Sequence, residues 1–237
     1  MAYPEFVRRL PGLYVDLGYG ASPITSVETL HRLRRFNPRI RVLGVEIDPQ
    51  RVAEAEAYTE PGLEFRVGGF NIPLRWGEQV SVIRAFNVLR QYDESAVAEA
   101  LTVMATTLTE GGLVIEGTSD PLGRLLTFNL YQKAEGLRRL NFVLAPSLHA
   151  NFTPRQFQAV LPKNFIHHAE PGGAIDEFFT AWQVAWQAAR SYGANPREVF
   201  YHSALHLSAR YGYEFDRRPA LLKRGFLCLG AGWPGHV

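Results

Sequence analysis

The chain has 237 residues, 46% hydrophobic and 20% charged, and its 25 Lys and Arg against 23 Asp and Glu give a formal net charge of +2. A globular chain of this length hides roughly 70% or more of the surface its unfolded form exposes, so stability requires neither disulfides nor metal. Cys228 is the single cysteine, which excludes an intramolecular disulfide and a multi-cysteine zinc site; no run approaches 18 apolar residues, and Met1 to Pro11 lacks the apolar centre of a signal peptide, so the expected location is the cytoplasm, off the membrane.

In chain order, Leu13 to Leu17 is an apolar strand ended by Gly18-Tyr19-Gly20. A helix is predicted from Pro23 to Phe36, with Ile24, Val27, Leu30 and Leu33 at spacings of three, Ser22 as its cap and Pro23 in its first turn. Ile40 to Glu46 reads as a second strand, and Asp48-Pro49 opens a second helix that runs to Tyr58. Leu63 to Val67 and Val80 to Phe86 are the third and fourth strands. A helix from Asp93 to Leu108 shows Val97, Leu101, Met104 and Leu108 on one face. Gly111-Gly112 then turns the chain into a fifth strand, Leu113 to Gly117. Strands alternating with helices of this length, joined by right-handed crossovers, predict an α/β fold with a doubly wound, mostly parallel sheet.

After Asp120 the rhythm changes. Leu125 to Gln132 and Leu137 to Ala145 form a predicted hairpin about Lys133-Ala134-Glu135-Gly136, giving the sheet an antiparallel edge. A short helix from Pro154 to Leu161, capped by Thr153, precedes longer helices at Ala174 to Tyr192 and Pro196 to Tyr211; Arg224 to Gly230 ends the chain as a strand. The expectation is one domain over 1–237, with a core over 1–123 and a β-hairpin and helical elaboration over 124–237. In the helix from Ala174, the residues Ile175, Phe178, Phe179, Trp182, Trp186 and Ala189 make one broad apolar face. Packing as core is the simpler reading of that face. An acceptor pocket or a homodimer contact is the sharper one.

Ligands of open α/β sheets bind at the carboxyl ends of the strands. There, Asp16 precedes two glycines that let the backbone approach a ligand, and Glu46 can accept two hydrogen bonds from a ribose diol. A dinucleotide fingerprint would need a third glycine where Pro23 stands, and an acid before the glycines suits a ligand with a positive amino group better than a pyrophosphate. Val15-Asp16-Leu17-Gly18-Tyr19-Gly20 resembles the first motif of class I S-adenosylmethionine-dependent methyltransferases, whose fold is Rossmann-like. Gly44-Val45-Glu46-Ile47-Asp48 resembles their second motif, and Leu108-Thr109-Glu110-Gly111-Gly112-Leu113 the turn before their fifth strand.

The resemblance covers about residues 13–119. It implies that Asp16, Gly18, Tyr19 and Gly20 surround the methionine part of S-adenosylmethionine, and that Glu46, followed by Ile47, holds the ribose. The run Ile83 to Leu89 is similar to the fourth strand of the chemotaxis-receptor methyltransferases, which implies that Asn87 borders the methionine group. The chain departs from the family after the third strand, where Gly68-Gly69-Phe70-Asn71 replaces an acidic contact to adenine. Phe70 would stack on the base there and Asn71 would hydrogen-bond it.

Catalytic residues are not assigned, because in-line positioning of an already reactive sulfonium supplies most of the rate. Tyr92, Asp93 and His149 are candidates beside the acceptor. His202 and His206, four apart on a helix, lack the glutamate of a zinc-protease motif, and adjacent His167-His168 would point to opposite faces of a strand, so no metal site is expected. The arginines are scattered in pairs and one short cluster rather than a stripe, and the Asn-Pro-Pro-Tyr type of motif is absent, which argues against a nucleic-acid substrate. The expected activity is methyl transfer to a small-molecule acceptor. The alternatives are a non-catalytic S-adenosylmethionine-binding protein and a nucleic-acid methyltransferase.

Overall fold

The computed structural model describes residues 3–149, 151–191 and 193–235. The elements run α1 (Tyr3–Arg8), β1 (Leu13–Leu17), α2 (Ile24–Arg34), β2 (Val42–Glu46), α3 (Pro49–Ala55), β3 (Leu63–Val67), β4 (Val80–Phe86), α4 (Glu94–Thr107), β5 (Leu108–Ser119), β6 (Leu125–Lys133) and β7 (Leu137–Pro146). These are followed by α5 (Lys163–Ile166), α6 (Ala174–Ala189), α7 (Pro196–Tyr211), α8 (Pro219–Leu222) and β8 (Leu227–Gly230). The hydrogen-bonded strand order is β3-β2-β1-β4-β5-β6-β7-β8. Strands β1, β2, β3 and β4 pair in parallel, and β7 pairs with β8 antiparallel. The chain divides into two compact units, Ala2–Glu116 with Tyr131–Arg138 and Gly117–Leu130 with Arg139–Val237.

In the first unit the central strands β1 and β2 carry apolar residues on both faces because helices cover both. Leu13, Val15, Leu43 and Val45 pack with Val97, Ala100 and Met104 of α4 on one side, while Val42 and Leu63 pack with Val7 of α1 and Leu30 and Leu33 of α2 on the other. Two sequence expectations change. Ser22 does not cap α2: Pro23 occupies the N-cap without a side-chain bond, and its carbonyl accepts the amides of Ser26 and Val27. Nor does Gly111-Gly112 interrupt the chain before β5, which runs unbroken from Leu108. Gly111 stands at φ +75° within the strand, a left-handed conformation open to glycine. The second predicted helix starts as expected, with the Asp48 carboxylate accepting the Gln50 amide at 2.9 Å, and tightens into a 3₁₀ turn over Glu56–Tyr58. Lys133 closes the other end of α4, donating to the carbonyls of Ala105 and Leu108 at 2.8 Å each.

In the second unit α6 and α7 pack on the strands β7 and β8 around an aromatic core that includes Phe142, Phe157, Phe178, Phe179, Trp182 and Phe200. Asn195 caps α7 by accepting the amides of Arg197 and Glu198, and Gly212 at φ +74° ends it. The predicted helix from Ala174 ends at Ala189 with Arg190 as its cap; Tyr192 lies outside the described residues. Residues Pro154–Val160 form a 3₁₀ helix with a capping box between Thr153 and Gln156. His167 caps the short helix α5, so the adjacent histidines are not on a strand. The last strand starts at Leu227, three residues later than predicted, because Gly225 at φ +84° still belongs to the turn after α8.

Candidate functional site

A cleft of about 590 Å³ opens in the first unit at the carboxyl ends of β1, β2 and β3. Cofactor and small-molecule sites span about 300–1,000 Å³. Its walls are built from four segments. Leu17, Gly18 and Gly20 come from the end of β1, and Glu46, Ile47 and Arg51 from the end of β2 and from α3. Gly68, Gly69, Phe70 and Asn71 follow β3, and Val88, Gln91, Tyr92, Ala96, Glu99, Ala100 and Val103 come from the chain after β4 and from α4.

The loop after β1 has its shape for local reasons. Gly18 and Gly20 stand at φ +67° and +78°, which L side chains rarely adopt, and a Cβ on Gly18 would sit 2.5 Å from Cγ2 of Val88. The Gly18 amide donates to the Val45 carbonyl at 2.7 Å. Glu46 then ties the loop to β2. It is 5% exposed; its Oε2 accepts the Gly20 amide at 2.9 Å, and its Oε1 accepts the amides of Ile47 and Asp48 at 3.0 and 3.4 Å. The Arg51 guanidinium lies 3.8 Å from the same carboxylate and 3.6 Å from that of Asp48.

Of the residues singled out in the sequence, Gly18, Gly20, Glu46, Ile47, Phe70 and Asn71 come together in this cleft, and Asp16, Tyr19 and Asn87 do not line it. Asp16 is fully buried. Its Oδ1 accepts Nη1 of Arg84 at 2.7 Å, and its Oδ2 accepts the hydroxyls of Ser26 at 2.7 Å and Thr25 at 3.0 Å. It therefore joins β1 to β4 and to the first turn of α2, rather than facing a ligand amino group. The Tyr19 hydroxyl donates to the Arg51 carbonyl at 3.4 Å, with its ring set edge-on to Phe65; burial, with the Glu46 charge second, pushes its pKa up to about 12. Asn87 adopts φ +61° and its carbonyl accepts the Gln91 side-chain amide at 2.8 Å, leaving Val88 to form the wall.

Among the acceptor-side candidates, Tyr92 is in the wall, its ring 5.2 Å from that of Phe70 and tilted by 58°. Asp93 is the N-cap of α4 and makes no side-chain capping bond. His149 belongs to the second unit, in a separate cleft of about 440 Å³ with Trp186, Arg190 and Asn195. Among the described residues no group of three or more His, Cys, Asp or Glu could hold a metal ion, and no helix is long and apolar enough to cross a membrane.

The segment after β3 is held by Arg66, 10% exposed at its side chain, and Glu78, 8% exposed. Arg66 donates to both Glu78 oxygens, at 2.6 and 2.8 Å, to Glu64 at 2.7 Å and to the Pro73 carbonyl at 2.8 Å. The Arg66 hydrogen bonds hold the Glu78 carboxyl down to about 2, helped by the Arg75 amide against the opposing effect of burial. Since this pKa lies below the ordinary value of 4.5, the pair's stabilisation is complete above pH 4.5 and is lost as pH falls toward 2. Glu78→Gln should thus lower the melting temperature at pH 7, with the gap to the unsubstituted protein closing between pH 4.5 and 2 in thermal scans. A gap that stays constant to pH 2.5 would contradict this.

No protein-family model matches the sequence, and none of the curated proteins does. Solved structures match about half of it. One is a complex between the Haloferax volcanii Trm112 methyltransferase activator and a methyltransferase, at 25% identity and a TM-score of 0.35 over 49% of this chain and 51% of that one. Another is a TehB-like SAM-dependent methyltransferase from Corynebacterium glutamicum, at 18% identity and 0.36 over 52% and 63%. The CMeT domain of the citrinin polyketide synthase matches at 17% and 0.40 over 48% and 32%. Over half its length, the chain is similar to methyltransferases. It spans less than two thirds of each of these chains, and at such TM-scores none of the likenesses bears on what it binds or does.

Proposed function

We propose that this chain binds S-adenosylmethionine in the strand-end cleft and transfers its methyl group to a small-molecule acceptor in the cytoplasm. The observation that carries this reading is the placement of Glu46. A buried carboxylate ends β2 inside the cleft, between a glycine loop on one side and an aromatic wall on the other. Its two oxygens accept three backbone amides. A carboxylate offers about four lone-pair directions, so capacity is left for a ribose hydroxyl.

The other walls fit the two ends of the same ligand. Gly18 and Gly20 bring bare backbone to the cleft, where an amino-acid tail can lie close. Phe70, Tyr92, Ala96, Ala100 and Val103 offer an apolar slot for a nucleobase, with Asn71, Gln91 and Glu99 as polar groups at its margin. A dinucleotide fits less well. Its pyrophosphate needs the start of α2, and there the Asp16 carboxylate already receives the hydroxyls of Thr25 and Ser26. S-adenosylmethionine supplies a methyl group already activated on a sulfonium. The task left to the protein is to bind, orient and exclude water, which in itself requires no nucleophile or base.

Glu46→Ala tests the assignment. Charge-assisted hydrogen bonds contribute about 1.5–3 kcal/mol each, so S-adenosylmethionine affinity should fall tenfold or more in a calorimetric titration. The carboxylate also holds three amides, so the melting temperature of the free protein should drop too. Unchanged affinity would remove Glu46 from the site.

A further inference from the structure

The eleven-residue stretch between Val67 and Gln79 leaves the sheet and returns to it as a loop with a closed neck. Arg66, at the end of β3, grips Glu78 through both guanidinium arms at 2.6 and 2.8 Å. It also reaches the middle of the loop, at the Pro73 carbonyl, at 2.8 Å. Glu78 in turn accepts the Arg75 amide at 2.8 Å, and Arg75 pairs with Glu64 at 2.9 Å. The loop folds back on itself closely enough that a Cβ on Gly68 would lie 2.6 Å from the Pro73 ring. Compact loops of this kind, with joined ends, present side chains at a fixed place. This one turns Phe70 and Asn71 into the cleft and leaves Trp76 wholly exposed on the outside.

We infer that Arg66 and Glu78 are positioning residues: their ion pair clasps this loop and sets the distance of the Phe70 ring from Tyr92, and with it the slot that takes the planar ring of the ligand. Neither residue lines the cleft, so the effect passes through Phe70 and Asn71. The four hydrogen bonds of Arg66 bind three points of the chain: Glu64 on β3, Pro73 in mid-loop and Glu78 at the return. Breaking the grip frees the loop from β3 at its neck while leaving Gly18, Gly20 and Glu46 where they are. The loss should therefore fall on the ring end of the ligand and spare the tail end. The identity of that ring as adenine rests on the cofactor reading above.

The experiment titrates two compounds, S-adenosylhomocysteine and its tail-less counterpart 5′-methylthioadenosine, into the unsubstituted protein, Glu78→Ala and Glu78→Gln. Hydrogen exchange of residues 68–77 is followed in the same samples. Glu60→Gln, which alters a half-buried partner of His31 and Arg34 away from the loop, is the control and should change neither readout. In Glu78→Ala both compounds should weaken by the same factor, tenfold or more, and exchange should quicken in 68–77 but not in β1 or β2. Glu78→Gln keeps the side chain's shape and should move both readouts the same way by less; it decides the matter if the alanine variant does not fold. Unchanged affinities, or weakened binding with unaltered loop exchange, would overturn the inference. If the unsubstituted protein binds neither compound, the cofactor reading fails. The clasp is then judged on exchange alone, where an unquickened loop overturns it.

Discussion

Trp182→Ala is expected to destabilise the second unit by about 3–5 kcal/mol, the range for deleting a large buried aromatic. Trp182 is fully buried in the middle of α6. Its ring lies within 5.7–5.9 Å of those of Phe157, Phe178 and Phe200, so truncation leaves a void bounded by groups that cannot all move inward. Its indole N–H donates to the Ser203 hydroxyl at 3.1 Å, linking α6 to α7, and that buried hydroxyl would lose its donor. The broad apolar stripe of α6 is thus core at this position. Neither an acceptor pocket nor a dimer contact has access to it. Urea unfolding monitored by circular dichroism gives the number; a change below about 1 kcal/mol would mean that the core tolerates the loss, against the usual cost of such cavities.

Gly18→Val should abolish ligand binding while the protein remains folded. Two independent penalties meet at this residue. The left-handed φ of +67° costs an L residue roughly 1–2 kcal/mol, more for a β-branched one. The new Cβ would also overlap Val88, 2.5 Å away, which itself forms the cleft wall, so relief of the clash deforms the site from both sides. Gly20→Ala is the informative comparison. A Cβ there meets nothing within 4 Å, so only the conformational penalty at φ +78° applies, and binding should weaken without vanishing. Equal, undiminished affinity in both variants would place the ligand elsewhere.

The parallel core could be read from the sequence because its strands are covered on both faces. Val42-Leu43-Gly44-Val45 is a continuous apolar run, and β2 is buried at every position. Those strand ends also predicted Gly18, Gly20 and Glu46 in one place, since a sheet topology fixes where its carboxyl ends meet. What the sequence hid was pairing over distance. Asp16 looked like a ligand contact because its partner Arg84 lies 68 residues on. The signal was there: a charged residue inside the apolar strand Val80 to Phe86 must find a counter-charge when half covered. Arg51, Gln91 and Glu99 of the cleft wall were missed for another reason. Polar residues on exposed helix surfaces are the rule, and only the neighbouring strand ends make these part of a cleft. The extent of β5 was hidden by Gly111-Gly112, since a double glycine usually marks a turn and here lies inside one strand.

Whether the cleft at Glu46 takes S-adenosylmethionine is answered by calorimetric titration of the unsubstituted protein with S-adenosylhomocysteine and, separately, with NAD. The demethylated product shares the ribose and the amino-acid tail with the methyl donor but cannot react, so its heat reports binding alone. S-adenosylhomocysteine should bind saturably at one site per chain, with no binding of NAD at the same concentrations. Binding of NAD with no heat from S-adenosylhomocysteine would contradict the cofactor reading.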